Sequence, residues 1–394
     1  MLTALTGARV LTPDEEIERG TVLIEDGRIL EVGQDVRPPP QATITELPNV
    51  TLAPGFIDIH VHGGGGFSLA TPDAEEIRAY ARWVVAGGVT SFLASVVADT
   101  PDGGEACLRS VARVAGSVAD GANLIGAHLE GPFVNPSRRG ALPESWVRPP
   151  DAGLLRRFLD AAAGHLRVIT VAPELAGAAT VQDEATAAGC VVALGHSDAG
   201  YEEAQKAFAA GARHLTHAFN AMRPFHHREP GILGAALDSP MVTVELIADG
   251  VHIHPVAARL LLAAKGDANV ALITDGVAPA GMSHGVFDTG GREARLSQGR
   301  VTLADGTIAG GAATMDVIVR NAVGWGLVPL SDAIRMASTV PARVLGLDGV
   351  KGRVAPGYDA DLVALDGELD VVMTWVGGRC LHSGRDGGLG KASG

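Results

Sequence analysis

The middle of the chain alternates short apolar runs with amphipathic helical segments, which predicts repeated parallel βα units. Eight such runs can be distinguished: Pro54–Ile59, Val89–Ala94, Ala122–Leu129, Arg167–Val171, Val191–Gly195, Arg213–Thr216, Val242–Ala248 and Asn269–Thr274. Eight βα units within roughly 250 residues are typical of a TIM barrel, so an α/β fold with a (β/α)₈ barrel is expected.

The segments between the runs carry signals for the start and end of helices. One helix is predicted to begin at Thr71-Pro72 and to end at Gly87. Its inward face would consist of Ile77, Tyr80, Ala81 and Val84. Another helix is predicted to begin at Asp198 and to end at Gly211, with an inward face of Tyr201, Ala204 and Phe208. A β-hairpin is expected at Gly285–Thr307, after the eighth run, followed by a final helix beyond Gly311.

Both ends of the chain show the short alternating pattern of β-strands. The runs are Ala8–Leu11, Thr21–Glu25, Arg28–Gly33 and Thr43–Leu47, then Asp361–Leu365, Val371–Trp375 and Arg379–Leu381. Neither end has enough strand to bury a sheet face alone, so the two are expected to pair in one small β-sandwich. The predicted domains are a barrel of residues 54–350 and a β-sandwich of residues 1–53 and 351–394, the last residues forming a loose Gly-rich tail.

Composition narrows the classes of function. The chain has 394 residues and a formal net charge of −14, which argues against binding nucleic acid or an anionic membrane. No run is long and apolar enough for a membrane span, and no signal peptide is expected. Cys107, Cys190 and Cys380 have unrelated spacings, which predicts neither disulfides nor a zinc ribbon and favours the cytoplasm. An anionic substrate would need a local cluster of cationic groups.

Metal-capable side chains follow directly after most of the predicted barrel strands. They are His60, His62, Glu130, His196, His217 and Asp275. The carboxyl ends of barrel strands meet at one rim, so these side chains are expected to converge there. Each also has a simpler interpretation, a structural histidine or a helix-capping carboxylate. Their shared position favours a site for zinc, iron or a related divalent ion.

Local motifs add a family resemblance. The segment Pro54–Gly63 resembles the first-strand motif of the amidohydrolase superfamily, in which Asp58 could orient a ligand histidine or could instead be buried in a structural role. Ile273–Gly276 resembles the catalytic aspartate motif of that superfamily. Further matching segments are Ala127–Phe133, Gly195–Asp198, Leu215–Met222, Arg228–Gly231, Ala248–His252 and Ile308–Gly310. From about residue 50 to 360, this ordered set resembles the N-acetylglucosamine-6-phosphate deacetylase family.

The resemblance implies a metal site and its ligands. Glu130, His196 and His217 would hold the main ion, Zn²⁺ first, with Fe²⁺, Co²⁺ or Mn²⁺ as alternatives. In some members the histidine pair, here His60 and His62, binds a second ion together with the aspartate, so one or two ions per subunit remain open. The fourth run ends in Ala172-Pro173-Glu174 without a lysine, which disfavours the hydantoinase and dihydroorotase branches.

The resemblance also implies the substrate contacts. They are Ala141, Asn220, Ala221, Arg228, Asp249, Gly250, His252, Ile308, Ala309 and Gly310. Arg228 suits phosphate, and Arg223, His226 and His227 lie near it, although a solvated loop is the simpler interpretation. In the family the corresponding arginine reaches the neighbouring subunit's site, which implies a homodimer. Leu142 stands where many members have a histidine, so the preference among acetylated amino-sugar phosphates stays open.

The implied reaction is hydrolysis of N-acetyl-D-glucosamine 6-phosphate to D-glucosamine 6-phosphate and acetate, in amino-sugar catabolism or cell-wall recycling. Asp275 would take a proton from metal-activated water and return it to the amine, with His128 or His252 assisting the carbonyl oxygen. The alternatives are deacetylation of N-acetylgalactosamine 6-phosphate, another amidohydrolase reaction such as cyclic amide hydrolysis or nucleobase deamination, and a non-catalytic sugar-phosphate sensor.

Overall fold

A computed structural model describes residues 2–288 and 292–384. Within these ranges the chain forms a parallel eight-stranded barrel, a mixed sheet from both chain ends, a small inserted antiparallel sheet and a short two-stranded ladder. The Gly-rich tail that the sequence predicts lies outside the described residues from residue 385 onward.

The elements follow in chain order. The strands are β1 (Leu2–Leu11), β2 (Glu16–Glu25), β3 (Arg28–Gly33), β4 (Thr43–Glu46), β5 (Thr51–Pro54), β6 (Phe56–Asp58), β7 (Gly63–Gly64), β8 (Phe67–Ser68), β9 (Val89–Val96), β10 (Asn123–Glu130), β11 (Leu166–Val171), β12 (Val191–Leu194), β13 (His214–Leu215), β14 (Thr243–Leu246), β15 (Val270–Leu272), β16 (Gly285–Asp288), β17 (Glu293–Ser297), β18 (Arg300–Leu303), β19 (Ile308–Gly310), β20 (Leu362–Leu365), β21 (Val371–Val376) and β22 (Arg379–Ser383). The α-helices are α1 (Ala74–Val84), α2 (Pro101–Val114), α3 (Ala152–Ala162), α4 (Ala178–Ala187), α5 (Tyr201–Ala209), α6 (Gly231–Asp238), α7 (Pro255–Lys265), α8 (Met315–Gly324), α9 (Leu330–Ala337) and α10 (Thr339–Val344).

The barrel consists of β6 and β9 to β15, which lie side by side in chain order and pair in parallel. Each strand overlaps one of the eight predicted apolar runs, and the expected (β/α)₈ fold is confirmed. The strands are almost entirely buried because helices cover them, as parallel sheets require. The first and last strands meet at the carboxyl rim, where Asp275 N–H donates to His60 O (2.9 Å) and His62 N–H donates to Gly276 O (2.7 Å).

The first barrel helix begins later than predicted. Its N-cap is Asp73, whose Oδ1 accepts from Glu75 N–H at 2.9 Å. Thr71 Oγ1 accepts from Asp73 N–H instead, so it belongs to the preceding turn. The predicted inward face is the buried one: Ile77, Tyr80, Ala81 and Val84.

The helix predicted to begin at Asp198 begins at Tyr201. Glu203 Oε2 accepts from Gly200 N–H at 2.8 Å, which places the N-terminus there. Asp198 is occupied elsewhere, because its carboxylate accepts from Arg138 (2.8 Å) and Arg223 (3.0 Å). Of the described helices, none is long and apolar enough to cross a membrane.

The two chain ends build one sheet, in the order β22-β21-β20-β5-β1-β2-β3, with β4 paired to β1. β20 pairs antiparallel with β5, directly before the chain enters the barrel. The two ends share an apolar core that includes Leu5, Val10, Ile24, Leu52, Leu362 and Trp375. The C-terminal strands therefore complete a sheet that the N-terminal strands could not bury alone.

The segment after β15 is larger than the predicted hairpin, and that prediction is wrong. β16 to β19 form a four-stranded antiparallel sheet. β17 buries alternate residues, and its Ala294 and Leu296 pack with Val277 and Val301 in a core that two strands could not cover. The last strand returns to the barrel, where Gly311 N–H donates to Asp275 O at 2.7 Å. This return brings Ile308–Gly310 to the rim.

Candidate active site

Three predicted metal ligands meet at the carboxyl rim. Glu130 is the last residue of β10, while His196 and His217 follow β12 and β13. Glu130 Oε1 lies 2.9 Å from His196 Nε2 and 3.1 Å from His217 Nε2, and the two nitrogens are 3.0 Å apart. All three side chains are buried. They therefore point at one common position.

The remaining three predicted ligands form a second group beside the first. His60 Nε2 and His62 Nε2 are 3.3 Å apart, and they lie 3.5 and 3.4 Å from Asp275 Oδ1. Glu130 joins the two groups, because its Oε1 is 3.4 Å from His60 Nε2 and its Oε2 is 3.3 Å from His62 Nε2. One carboxylate thus faces two clusters of ligand atoms.

The spacing of these atoms fits divalent cations. Tetrahedral ligands at roughly 2.0–2.1 Å from an ion are about 3.3 Å apart. The second group matches this spacing, and the first is a few tenths of an ångström tighter. Two rings are already oriented: His196 Nδ1–H donates to Arg138 O and His60 Nδ1–H donates to Glu245 Oε2, both at 2.9 Å. Their Nε2 atoms are therefore free to act as ligands.

The backbone at the strand ends is strained. His196, His217 and Asp275 have φ values of 47°, 25° and 48°, in the left-handed region that non-glycine residues rarely adopt. Each such residue costs on the order of 1–3 kcal/mol and persists only where its surroundings enforce it. Gly195 shows how tight the packing is, since a Cβ there would lie 2.7 Å from Thr216 Cβ. The packed barrel thus holds these side chains in place.

Glu245 is a buried carboxylate on β14 that the sequence analysis missed. It accepts hydrogen bonds from His60 Nδ1 (2.9 Å), His214 Nε2 (3.0 Å) and the backbone N–H of His217 (2.8 Å). It therefore orients members of both ligand groups. Its signal in the sequence is a lone acidic residue inside the apolar run Val242–Ala248, where an unpaired charge would be very unfavourable.

Asp58 contacts the Thr274 side chain and nearby backbone rather than the ring of a ligand histidine. Its Oδ2 accepts from Thr274 Oγ1 at 2.6 Å, and its Oδ1 is 3.4 Å from the backbone nitrogens of His60 and Thr274. Burial raises the pKa of Asp58 to about 7 against these hydrogen bonds. Asp58 therefore ties the first barrel strand to the last, while Glu245 holds the His60 ring.

Opposite charges control ionisation at the rim. Burial favours the neutral form of Glu130, but the charge and hydrogen bond of His196 outweigh burial and hold its pKa well below the usual range. Burial likewise opposes ionisation of Asp275, whose pKa is nevertheless lowered by His62 and His60. For His62, burial is outweighed by Asp275 and Glu130, which raise its pKa to about 9. These atoms therefore favour positive charge, and a cation held by them would displace protons from the histidines.

His252 faces the site, and His128 does not. His252 Nδ1–H donates to Asp249 Oδ2 at 2.7 Å, which leaves its Nε2 3.7 Å from Asp275 Oδ2. His128 is fully buried, with its nitrogens hydrogen-bonded to Ser95 Oγ (3.0 Å) and Thr170 Oγ1 (2.8 Å). His252 therefore remains available to a substrate, whereas both nitrogens of His128 are occupied.

A cavity of about 780 Å³ opens above the ligand groups. Its metal-side wall contains His62, Glu130, His196, His217, His252 and Asp275. Its other walls include the predicted substrate contacts Ala141, Asn220, Ala221, Ile308, Ala309 and Gly310, together with Leu142 and Arg292. Asp249 and Gly250 do not line it. Asp249 lies behind His252 and accepts from the backbone of Val251 and His252.

Arg228 lies outside the cavity of its own chain. It is exposed, and its Nη1 donates to His227 Nε2 at 3.0 Å. Arg223 is also turned away, since its Nη2 donates to Asp198 Oδ2. The expected contact of Arg228 with a neighbouring subunit's substrate stays a prediction.

The end of the fourth barrel strand carries a carboxylate with a supporting role. Glu174 accepts from Asn135 Nδ2 (2.9 Å), Ser197 Oγ (2.8 Å) and Asp198 N–H (2.6 Å). These contacts tie together the loops behind His196. No lysine stands here to be modified as a metal bridge.

A parallel barrel whose carboxyl rim carries groups of histidines and carboxylates that could hold a metal ion has the arrangement of a metal-dependent barrel hydrolase. Residues 51–381 match the model of the Amidohydrolase family, and the chain belongs to that family. Within it, the chain is similar to amino-sugar-phosphate deacetylases over almost its full length.

Two curated relatives illustrate this similarity. The N-acetylglucosamine-6-phosphate deacetylase of Bacillus subtilis (strain 168) is 36% identical over 371 residues, 93% of each chain. The N-acetylgalactosamine-6-phosphate deacetylase of Escherichia coli O157:H7 is 35% identical over 379 residues, which cover 96% of this chain and 99% of the relative.

Solved structures agree with the sequence comparison. The N-acetyl-D-glucosamine-6-phosphate deacetylase of Mycobacterium smegmatis, a mutant in complex with N-acetyl-D-glucosamine 6-phosphate, has a TM-score of 0.91 and 37% identity. The match covers 97% of this chain and 100% of that one. The corresponding enzyme of Pasteurella multocida has a TM-score of 0.91 at 28% identity and covers 96% of this chain and 99% of its own.

Proposed function

We propose that the chain hydrolyses the acetamide of N-acetyl-D-glucosamine 6-phosphate to D-glucosamine 6-phosphate and acetate, a reaction of amino-sugar catabolism or cell-wall recycling. The observation that carries this proposal is the convergence of two ligand groups, one containing Glu130 and the other Asp275, at the wall of one cavity. The similarity to full-length deacetylases, one solved with this sugar phosphate, supports the choice of substrate.

Zn²⁺ is the proposed cofactor, because imidazole nitrogens and carboxylate oxygens at tetrahedral spacing suit it well. Fe²⁺, Co²⁺ and Mn²⁺ accept the same ligand types. One or two ions per subunit are proposed, and a second ion is supported by Glu130, whose carboxylate lies against the ligand atoms of both groups. A bound ion supplies polarisation of the acetyl carbonyl and lowers the pKa of water at the site.

Asp275 is the proposed general base and acid. Its carboxylate is ionised at neutral pH because the neighbouring histidines lower its pKa despite burial. It takes a proton from the attacking water while the water oxygen bonds to the acetyl carbon. The same proton then passes to the sugar nitrogen as the C–N bond breaks. The amine therefore leaves as a neutral group together with acetic acid, which then releases its proton to solvent and becomes acetate.

His252 is proposed to position the reacting groups. Burial lowers its pKa, but the hydrogen bond to Asp249 and the charge of Asp275 outweigh burial and raise it. The Asp249 contact fixes the tautomer, so Nε2 faces Asp275 and the cavity. The imidazole can donate a hydrogen bond there to the substrate or to Asp275.

Two alternatives are weaker. The relative from Escherichia coli O157:H7 is named for the galacto epimer, whereas similar proteins named for the gluco compound include bacterial and mammalian relatives and a structure with that sugar phosphate bound. Cyclic amide hydrolysis with a modified lysine bridge has no support, because Glu174 stands at the fourth strand end.

The proposal also includes a homodimer, in which the exposed Arg228 of one subunit enters the cavity of its neighbour. The proposed location is a reducing cytoplasm, with which the buried thiols of Cys107 and Cys190 are consistent.

Acetate release tests the proposal directly. The purified protein, with its metal content measured, is assayed on N-acetylglucosamine, its 6-phosphate and N-acetylgalactosamine 6-phosphate. We expect the highest kcat/KM on N-acetylglucosamine 6-phosphate. Turnover of dihydropyrimidines or adenine with none of the sugar phosphates would overturn the assignment. Sugar-phosphate binding without acetate release would instead indicate a sensor.

A further inference from the structure

A sugar phosphate needs a positive charge in the part of the cavity wall that lies away from the metal-ligand groups. A sugar phosphate carries a charge of about −1.5 to −2 near neutral pH, and the chain itself has a formal net charge of −14. Among the described residues that line the cavity, Arg292 is the one lysine or arginine. Arg228 stays outside in its own chain. The question is therefore what the Arg292 guanidinium does.

Arg292 directly precedes β17 of the inserted sheet, and its side chain crosses to the loop after β10. There its Nη2 donates to Ala141 O. Arg139 Nη1 donates to the next carbonyl, Leu142 O, at 2.8 Å. Two guanidinium groups thus hold the consecutive carbonyls of the segment that the family resemblance assigns to the substrate. Among the described residues, each guanidinium makes one hydrogen bond of this kind, and an arginine has five N–H donors in all.

The guanidinium of Arg292 is incompletely paired. Its Nε is buried and has no hydrogen-bond partner in the part of the chain that the structure describes. Asp99 and Asp305 influence it only through their charges, without hydrogen bonds. Burial and the nearby Arg139 lower the pKa of Arg292, yet an arginine remains protonated at neutral pH. A buried, unpaired donor on a charged fork is well suited to an incoming anion.

We propose that Arg292 is a specificity-determining residue that binds the substrate phosphate from within the same chain, an inference that rests on the proposed function. It supplies a cation beside Leu142, an apolar residue where many members of the family have a histidine. The inserted sheet thereby contributes to the cavity wall and also supplies a guanidinium. This positive charge favours binding of a phosphorylated sugar over an unphosphorylated one.

A purely structural role for Arg292 makes a different prediction. If the side chain only held the Ala141-Leu142 segment, its loss would affect phosphorylated and unphosphorylated sugars alike. A phosphate contact affects the phosphorylated sugar alone, because only that substrate loses an ion pair. The two roles therefore separate on the ratio of kcat/KM for the two sugars.

The test uses the metal-loaded enzyme and its R292M, R292K and R295M variants. Arg295 lies on β17, is exposed and is outside the cavity lining, so R295M is the matched control. We expect R292M to raise KM for N-acetylglucosamine 6-phosphate roughly tenfold, as for loss of a charge-assisted contact, with little change in kcat. Activity on N-acetylglucosamine should stay unchanged, R292K should recover part of the loss, and R295M should match the unmodified enzyme.

Equal losses on both sugars, or an unchanged KM, would overturn the phosphate role. Failure of the unmodified enzyme to release acetate from either sugar would instead contradict the proposed function. In that case calorimetric binding of D-glucosamine 6-phosphate and D-glucosamine decides on Arg292 separately. We expect a preference for the phosphorylated sugar that R292M largely abolishes. A preference that survives R292M, or no preference at all, would refute the inference.

Discussion

The residues at the two ends of the cavity come from different parts of the fold. The metal end consists of His60, His62, Glu130, His196, His217 and Asp275, which stand at or just past the ends of barrel strands. The proposed substrate end consists of Ala141, Leu142, Arg292 and Ile308–Gly310, which line the cavity from loops and from the inserted sheet. The metal end is held by the barrel, and the substrate end by contacts between distant segments.

This difference follows from what each end must do. Bond cleavage depends on atomic positions to within about 0.5 Å, which packed strand ends and strained backbone can hold. Recognition of a phosphate tolerates more displacement, because several donors can share one anion. We therefore expect changes at the metal end to act on kcat or on metal content. Changes at the substrate end should act on KM.

Removal of the metal should have the largest effect. Since the ion is proposed to stabilise developing charge by several kcal/mol, acetate release should fall by on the order of 10³-fold or more after treatment with a chelator. Readdition of Zn²⁺, Fe²⁺, Co²⁺ or Mn²⁺ should restore activity, and comparison of the four identifies the preferred ion. Full activity in protein shown to contain no metal would break the assignment of the metal end.

Asp275→Asn should have the next largest effect. The amide cannot accept and return the proton, so kcat should fall by about 10²–10⁴-fold. Elemental analysis should still find the ion held by Glu130, His196 and His217, because Asp275 belongs to the other ligand group. If this variant retained normal turnover, Asp275 could not be the general base.

Glu245→Gln probes the support behind both ligand groups. Loss of the charge that orients His60 should weaken metal binding roughly 10- to 100-fold, measured by competition with a chelator. Glu174→Gln is the control, since Glu174 binds Asn135 and Ser197 but touches no ligand ring. Equal metal affinity in Glu245→Gln and the unmodified protein would show that the barrel alone orients the histidines.

Arg228→Ala should have the smallest effect, confined to the substrate end. We expect KM for the phosphorylated sugar to rise several-fold, on the scale of about 1 kcal/mol for one partly solvated ion pair. Mixed dimers of Arg228→Ala and Asp275→Asn subunits sharpen the test. Each mixed dimer contains one site with an intact Asp275 and an intact partner arginine, so low-KM activity should reappear. Its absence would place Arg228 outside the neighbouring site.

Much of the fold could be predicted because its signals are local. Each of the eight apolar runs overlaps a barrel strand, since a strand covered on both faces must be apolar along its length. The predicted first residues of two helices were less accurate. The capping contacts of Asp73 and Glu203 decide where these helices begin, rather than the nearest Pro or Asp in the sequence. The number of strands in the inserted sheet was underestimated, because the strands that pair with β17 are held by a shared apolar core rather than by one turn.

The sequence by itself determined which residues stand at the barrel rim, because strand ends and polar side chains coincide along the chain. Only the tertiary structure decided which of those residues lie between the two ligand groups and which other side chains orient them. Glu130 faces two ligand groups, Glu245 holds His60 across 185 positions, and Arg292 reaches Ala141 across 151. Such pairings depend on which strands and loops become neighbours, and no local pattern of apolar and polar residues contains that information.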